Sequence, residues 1–566
     1  MRRTAIALLI GSLLAPAAAQ TISLPKDSGD FKIDQGSSFS ATGSAPKNKP
    51  NQPGPLAALS EDLAEALGLI SQHHASSNAQ RPDLLTASAL SSALRTLDPH
   101  SKYYDREEFA ELVGEHEGQY FGTGATIISA KSGGELETYV LSVAAGSPAE
   151  AAGLKFGDRI ISVDGKTIGG LHSYEVREMM RGELGTEVAI RLERAGNSTQ
   201  TDLTMTRGRV AHKTIPHTFM LDEGVGYIDL SGGFSYTTVT ELDDALLRLR
   251  ARGMRSLLLD LRGNSGGIVN QAVAVAERFL PFGTKILSQQ GRNPNEDRVW
   301  RSANRLPVTV PLAVLVDGET ASAAEIVAGA LQDNDRALII GEKTFGKGLV
   351  QNIIELEDGS ALALTAARYY TPTGRSIQRD YSDIGLYEYF RGIRKAGLTD
   401  RPAYSVRTIT DRVLHGGDGI SPDVSASQTA NSNYAVSDAL FLLTRDLANG
   451  RLAGQLSPEE LRQSLIFGRE ILSADELRTH LARVMSSTEK AEITPAVLAE
   501  FRWYMAMALF GTDGAAKARI ETDRVVAAAI RSLPDAEQLQ DRAADVRSNS
   551  ARKEKSPQGR IPDGLR

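Results

Sequence analysis

Cysteine is absent from the 566 residues, and the chain also has no long apolar run. The absence of cysteine excludes disulfides, thiolate nucleophiles, iron–sulfur clusters and cysteine-ligated zinc. No apolar stretch reaches the roughly 18 residues that a membrane-spanning helix needs. The net charge of −7 argues against a nucleic-acid partner. None of the nine histidines has a metal-binding spacing, and we expect no cofactor.

The N-terminus has the composition of an export signal. Arg2 and Arg3 precede an apolar run over residues 5–15, and small residues follow as far as Ala19. This order is that of the charged, apolar and cleavage regions of a secretory signal peptide. We therefore predict that residues 1–19 are removed by cleavage near Ala19. The predicted location is the periplasm, and peripheral association with the membrane is left open.

The rest of the chain divides into segments of different periodicity. Alternating strand and helix patterns indicate an α/β segment with mostly parallel pairing, and an earlier β-rich segment with two helices indicates a partly open β-barrel. Segments rich in small and charged residues cannot bury enough apolar surface to order themselves. The predicted segments are a disordered linker (20–55), an N-terminal helical region (56–117), the β-rich segment (118–208), the α/β segment (209–425), a C-terminal helical region (426–545) and a disordered tail (546–566).

Two loops of the α/β segment carry candidate catalytic groups. Residues 260–267 (DLRGNSGG) form a glycine-rich turn, whose successive N–H groups can bind an anion. A tight turn without a ligand explains that pattern equally well. Residues 318–325 (GETASAAE) place Ser322 where a helix begins, and free N–H groups there favour a developing oxyanion. Taken alone, Ser322 is also a common type of helix cap.

A third loop contains a candidate general base. Residues 341–347 match the phosphate-binding pattern G-x-x-x-x-G-K, but Gly348 replaces the Ser or Thr that holds magnesium, and a strand pattern follows. We therefore do not expect a nucleotide. Lys347 can instead act as a base, provided that burial lowers its pKa from about 10.4 into the working range. Gln351, four positions later on the same face of a strand, is placed to orient the amine.

Together these motifs resemble the C-terminal processing peptidases, tail-specific serine proteases with a Ser/Lys dyad and an embedded PDZ domain. The resemblance extends over about 60–425 and includes the twenty-five-residue separation between serine and lysine. It implies a crotonase/ClpP-like α/β protease core, with an inserted PDZ β-barrel and helical regions at both ends. It assigns the nucleophile to Ser322, the general base to Lys347 and the lysine-orienting role to Gln351.

The resemblance also implies an oxyanion hole and a peptide groove. The oxyanion would accept hydrogen bonds from the N–H of Ala323 and from that of Gly266 or Gly267, between which the sequence does not choose. In the PDZ-like segment, loop N–H groups would surround a terminal carboxylate while the peptide adds as a strand. The expected substrate-binding residues are Phe121, Gly122, Thr123, Gly124, Ala125 and Ile127.

The sequence therefore predicts an exported serine endopeptidase that binds the C-terminal tails of proteins and cleaves near them. The expected substrates have apolar or unstructured C-termini. An adaptor lipoprotein and a second copy of the chain are further candidate partners, whereas nucleic acid and nucleotide are not. The alternative is a non-catalytic exported PDZ scaffold on a protease-like fold. The presence of Ser322, Lys347 and Gln351 favours the enzyme.

Overall fold

The computed structural model describes residues 19–20, 55–75, 82–382, 385–391, 404–428, 434–452, 456–485 and 492–555. The predicted signal peptide up to residue 18 and the linker from 21 to 54 lie outside these residues. Two compact units are present. One comprises Ala110–Val350 and the described residues from Ala366 onward, and the other comprises those from Ala19 to Phe109 together with Gln351–Thr365. Within the described ranges, no helix is long and apolar enough to cross a membrane.

The smaller unit contains a turn after Leu97. The Asp98 carboxylate accepts hydrogen bonds from the N–H groups of His100 and Ser101, each at 2.8 Å, and this closes the turn. A short strand that the sequence did not indicate then pairs with residues 361–363. The elements are β1 (Ala19–Gln20), α1 (Pro55–His73), α2 (Pro82–Arg95) and β2 (Lys102–Tyr104), and α3 (Arg106–His116) spans the division between the units.

The β-rich segment folds as an antiparallel sheet with two helices. The strand order is β4-β5-β6-β8-β9, so that β4 is an edge strand. Apolar residues alternate along the strands of this sheet. Those on one face form a separate core with the two helices of the segment. The elements are β3 (Gln119–Gly122), β4 (Ala125–Ser132), β5 (Glu135–Val143), α4 (Pro148–Ala151), β6 (Arg159–Val163), β7 (Lys166–Thr167), α5 (Ser173–Met180), β8 (Glu187–Glu193) and β9 (Gln200–Thr206).

The α/β segment is built on a six-stranded sheet in the order β11-β12-β13-β16-β17-β22, parallel except for its first pair. Its central strands are apolar almost throughout because both faces are covered. Three helices, α6 to α8, cover one face. The elements are β10 (Gly208–Ala211), β11 (His217–Met220), β12 (Val225–Asp229), α6 (Thr238–Ala251), β13 (Ser256–Asp260), α7 (Val269–Glu277), β16 (Leu312–Val316), α8 (Ala323–Asp333), β17 (Leu338–Gly341) and β22 (Val424–Ser425).

Further strands and one short helix complete this segment. Strand β14 pairs antiparallel with β15 and with residues 367–370 of β19, and β20 forms a hairpin with β21. The elements are β14 (Lys285–Gly291), β15 (Arg298–Arg301), β18 (Leu349–Glu355), β19 (Ala361–Tyr370), α9 (Leu386–Phe390), β20 (Tyr404–Arg407) and β21 (Val413–Gly416).

The C-terminal helices pack on both the PDZ-like sheet and the α/β sheet. Helices α10 and α13 share a core with β4 and β5, and α14 covers the second face of the α/β sheet. Helix α14 continues to Lys555, within the segment from 546 that is expected to be a disordered tail, and Arg547 donates a hydrogen bond to the Asn334 carbonyl. The elements are α10 (Tyr434–Ala448), α11 (Pro458–Ile466), α12 (Ala474–Val484), α13 (Pro495–Glu521) and α14 (Arg524–Lys555).

Candidate active site

The three loops singled out in the sequence meet at one edge of the α/β sheet. They follow β13, β16 and β17, which are neighbouring parallel strands, so their carboxyl ends lie side by side. The Ala321 N–H donates to the Asn264 carbonyl at 2.9 Å, which joins the first two loops. The Phe345 N–H donates to the Thr320 carbonyl at 3.0 Å, which joins the second and third. The predicted serine and lysine loops are therefore adjacent.

Ser322 lies at the entry to α8 in a strained backbone conformation. Its φ of 56° and ψ of −117° are unusual for a residue with a Cβ atom. Such a conformation costs about 1–3 kcal/mol and persists where the surroundings enforce it, often at functional sites. The residue is 2% exposed. Its position at the first turn of α8 places it beside main-chain N–H groups that have no partner within the helix.

A buried carboxylate, Glu325, joins the serine loop to the lysine loop. One of its oxygens accepts hydrogen bonds from the N–H of Ser322 at 2.9 Å and from that of Lys347 at 2.8 Å. The other oxygen accepts from the Gly346 N–H at 2.8 Å and the Thr344 hydroxyl at 2.5 Å. Glu325 is completely buried. It therefore fixes the main chain of both predicted catalytic residues relative to each other.

The same burial perturbs the Glu325 carboxyl. Removal from water raises its pKa from 4.5 to about 7, although the hydrogen bonds from Thr344 and from three main-chain N–H groups act in the opposite direction. Four donors point at the two oxygens, and an ionised carboxylate is the form that accepts from all of them. All four hydrogen bonds of this joint, the Glu325 carboxylate that connects the serine loop to the lysine loop, therefore form only when Glu325 is ionised.

Lys347 lies in the loop before β18, and not on the strand as predicted, because the strand begins at Leu349. Its side chain is buried, with 3% exposure. The Tyr369 hydroxyl donates to the Lys347 carbonyl and is also hydrogen-bonded to the Ser322 side chain. Burial raises the pKa of Tyr369 well above 10, so its hydroxyl stays protonated. Tyr369 is thus a second link between the two loops.

Gln351, the predicted lysine-orienting residue, lies on β18 in the smaller unit. It is 1% exposed, and its side-chain amide donates to the main-chain carbonyl of His100. Its role toward Lys347 stays a prediction.

The glycine-rich loop lies directly against the serine. A Cβ atom placed on Gly266 would lie 2.8 Å from the Ser322 Cβ and 3.1 Å from the Ala323 nitrogen, so only glycine allows this approach. The Gly266 N–H donates to the Asn264 side chain at 2.9 Å, and the Gly266 carbonyl accepts from the Phe234 N–H at 2.9 Å. Because a trans peptide directs its N–H opposite to its carbonyl, the Gly267 N–H points away from Phe234.

The predicted peptide-binding residues lie where β3, which pairs with β10 in a separate two-stranded sheet, is followed by the edge strand of the PDZ-like sheet. Phe121 and Gly122 end β3, Thr123 and Gly124 form the connecting loop, and Ala125 and Ile127 lie on β4. The Thr123 carbonyl accepts from the Ala149 N–H at 2.8 Å, and that of Gly124 accepts from the Ala144 N–H at 2.9 Å. Both carbonyls are thus directed into the domain. The N–H groups of Gly124 and Ala125 consequently point outward, although the Thr123 hydroxyl lies 3.5 Å from the Ala125 nitrogen.

A buried charge network supports the glycine-rich loop from the other side of the sheet. Asp260 accepts from the Tyr227 hydroxyl at 2.7 Å and pairs with Arg262 at 2.6 Å. Burial alone would raise the pKa of Asp260, but the Arg262 charge and the hydrogen bonds lower it overall. Arg262 also pairs with Asp523 at 2.8 Å. Asp523 additionally caps α14 by accepting from the N–H of Val525 at 2.8 Å. The C-terminal region is therefore tied to this loop.

Asp523→Ala is expected to lower the free energy of unfolding by about 2–4 kcal/mol, because it removes a helix cap and a buried partner of Arg262 together. Asp523→Asn should lose less, since asparagine still caps the helix. The measurement is urea denaturation followed by circular dichroism. Asp535→Ala, on the exposed face of the same helix, is the control and should change stability by less than about 0.5 kcal/mol. An equal, small effect of Asp523→Ala would contradict the role of the network.

Sequence reasoning missed Glu325, Tyr369 and Asp523. Glu325 did have a signal, since Ser322 with an acid three residues later has the form of a capping box. Tyr369 and Asp523 come from elements far along the chain and had none. Among the described residues, no group of three or more His, Asp or Glu side chains is arranged to hold a metal ion.

Two segments of the chain match known protein families. Residues 224–385 match peptidase family S41, and residues 139–194 match the PDZ domain family. The carboxyl-terminal-processing protease of Synechocystis is 36% identical over 300 residues, which cover 52% of this chain and 69% of that protein. The chain belongs to the carboxyl-terminal-processing protease family. The S41 peptidases of this family are serine peptidases.

Other members of the carboxyl-terminal-processing protease family match over a similar span. The carboxy-terminal processing protease CtpA of Bacillus subtilis is 37% identical over 298 residues, or 52% of this chain and 62% of that protein. The chain thus spans less than two thirds of the length of that relative. Among solved structures, the photosystem II D1 C-terminal processing protease is 28% identical, with coverage of 64% of this chain and 92% of that chain and a TM-score of 0.34.

Proposed function

We propose that this chain is an exported serine endopeptidase that cleaves proteins near their C-termini, with Ser322 as nucleophile and Lys347 as general base. The observation that carries the proposal is the Glu325 joint. A single carboxylate oxygen within 3 Å of both the Ser322 and Lys347 nitrogens holds the two residues in one arrangement. Export rests on the composition of residues 1–19.

In the proposed reaction the neutral Lys347 amine takes the proton from the Ser322 hydroxyl as its oxygen attacks the scissile peptide carbonyl. The C–N bond then breaks, and the same amine returns the proton to the leaving nitrogen. Water hydrolyses the acyl-enzyme by the reverse proton movements. Burial of Lys347 supports this role, because low polarity disfavours the charged form of an amine.

We assign the oxyanion hole to the N–H groups of Ala323 and Gly267. The Ala323 N–H belongs to the first turn of α8, which supplies donors without helical partners. Between the two glycines, Gly266 already donates to Asn264, whereas the Gly267 N–H is directed away from Phe234. Each oxyanion donor typically contributes about 3–4 kcal/mol to transition-state stabilisation.

The proposed recognition element is the PDZ domain, in which outward N–H groups of Gly124 and Ala125 would receive the terminal carboxylate. The tail would then lie antiparallel along β4, the open edge of the sheet. Ile127, which packs at the margin of the PDZ core, would contact the last apolar side chain. An adaptor lipoprotein and self-association remain predictions.

The test uses one apolar-tailed substrate protein in two forms, one with a free terminal carboxylate and one with an amidated terminus. The free form should be cleaved with a kcat/KM at least about tenfold higher, because amidation removes the charge that the loop N–H groups bind. Mass spectrometry of the products locates the cleaved bond. Equal cleavage of both forms would contradict carboxylate recognition. No cleavage of either form would favour the alternative of a non-catalytic scaffold.

A further inference from the structure

Strand β4 is the edge strand of the PDZ sheet. Among the described residues, the Ser173 N–H at the start of α5 donates to the Ser129 hydroxyl at 2.6 Å, and a carboxylate from another element reaches the main chain near the end of the strand. Strand β4 pairs with β5 on one side, in a continuous antiparallel register from Ile127 to Ser132. Its other side is the edge of the sheet. At that edge, the main-chain N–H of Lys131 donates to the Asp438 carboxylate at 3.1 Å. Asp438 belongs to α10, outside the PDZ domain.

The bond to Asp438 identifies which residues of β4 offer their main chain to a tail. In an antiparallel ladder, successive residues direct their N–H and carbonyl groups alternately to the two sides of the strand. Because the Lys131 N–H points to the open side, those of Ser129 and Ile127 do so as well. No bulge interrupts the register between these residues. The open edge therefore offers Ile127 and Ser129, while Lys131 already has a partner.

The position of Asp438 is set by packing behind the strand. Ile128 and Ala130 face away from the PDZ core and are buried in the cluster formed by α10 and α13. The neighbours of Asp438 on the helix, Ala439 and Leu440, belong to that same cluster. Asp438 thus lies beside the buried face of β4, close enough to reach the edge. Its partner is a main-chain group of a strand that cannot move without breaking this core.

We propose that Asp438 ends the tail-binding groove and thereby sets the length of substrate tail that the PDZ domain reads. The inference rests on the proposed tail recognition. With its carboxylate at the start of β4, a tail would run antiparallel to the strand, pair with Ile127 and Ser129, and meet Asp438 before it could pair with Lys131. Only about the last four residues of the tail contribute strand pairing.

This limit comes from a part of the chain that lies outside the matched PDZ and peptidase segments, residues 139–194 and 224–385. The C-terminal helical region would therefore act in substrate selection as well as in packing. Residues of the substrate beyond about the fourth from its end must leave the strand edge and are free to take another path. Selection for a particular sequence would consequently be confined to the tail end.

The experiment measures how affinity depends on peptide length. Fluorescent peptides of four and eight residues, identical in their last four apolar residues, are titrated by anisotropy into the full chain carrying Ser322→Ala, which prevents cleavage. With Asp438 present, the two peptides should bind within about twofold of each other. Asp438→Ala should strengthen binding of the longer peptide by about five- to tenfold through pairing with Lys131, and leave the shorter one unchanged.

Two variants serve as controls. Asp438→Asn keeps an acceptor for the Lys131 N–H and should retain the flat length dependence. Asp446→Ala removes another acid of α10, which contacts Arg445 at 3.8 Å and Arg451 at 3.7 Å. This variant should also retain the flat dependence of affinity on peptide length. The proposal is overturned if Asp438→Ala keeps the flat dependence, or if the longer peptide already binds much better with Asp438 present. Failure of every peptide to bind would overturn tail recognition itself. Binding of the four-residue peptide is sufficient to support tail recognition, whatever the length dependence shows about Asp438.

Discussion

Ser322→Ala and Lys347→Ala are each expected to lower kcat/KM for tail cleavage by at least about 10³-fold. The first removes the attacking hydroxyl and the second removes the base that accepts its proton. Because the two groups act in one step, the double variant should be hardly less active than either single variant. The measurement is cleavage of a quenched fluorescent substrate with an apolar free terminus.

Matched controls separate the catalytic roles from simple removal of a side chain. Lys343→Ala removes a lysine of the same loop, which pairs with Asp418 at 2.7 Å and is partly exposed. Ser532→Ala removes a buried serine hydroxyl of α14 that bonds to the Ala528 carbonyl at 2.9 Å. Both controls should keep activity within about threefold, in line with their small structural effect. Substantial proteolysis by either Ser322→Ala or Lys347→Ala would exclude the proposed dyad.

Much of the fold follows from local patterns in the sequence. The serines at 457 and 473 each precede an acid by three residues, and α11 and α12 begin directly after them with both capping bonds formed. The apolar runs that become β13, β16 and β17 have the composition of strands covered on both faces. Here neighbouring residues determine the element, so a single sequence is sufficient.

Elements that depend on distant partners were harder to predict. Strand β2 has only three residues and owes its existence to pairing with β19. The charged end of α14 resembles a disordered tail, yet Arg547 contacts the end of α8 through the Asn334 carbonyl. Neither contact leaves a periodic signal in the local sequence, because each depends on a segment remote in the chain.

The candidate site divides in the same way. Its loops were predicted from glycine, serine and lysine motifs, since each motif lies in one short segment. The groups that hold these loops together could not be predicted from such local motifs. Glu325 has the pattern of a helix cap, and its bonds to Gly346 and Lys347 depend on the adjacency of β16 and β17. The geometry of a catalytic site is thus less visible in a sequence than its reacting groups.

Replacement of Glu325 tests this geometry directly. Glu325→Gln is expected to lower kcat/KM by about 10²-fold. The NH₂ group of the glutamine would face main-chain N–H groups that now donate to a carboxylate oxygen, and the repulsion would shift Ser322 relative to Lys347. Glu319→Gln changes an exposed acid of the same loop and should leave activity within about threefold. Full activity in Glu325→Gln would show that the joint is dispensable.

The pH dependence separates a positioning role from a purely structural one. Burial raises the pKa of Glu325 from 4.5 to about 7, so in this interval the folded protein binds more protons than the unfolded chain. The free energy of unfolding should therefore fall as pH rises from about 4.5 to 7, by up to about 1.4 kcal/mol per unit, and level off above. Activity should rise through the same pH range, because only the ionised carboxylate accepts all four hydrogen bonds. Glu325→Gln cannot titrate, so it should lose both this slope in stability and the rise in kcat/KM near pH 7. A variant that keeps the wild-type pH profiles would exclude Glu325 as the titrating group.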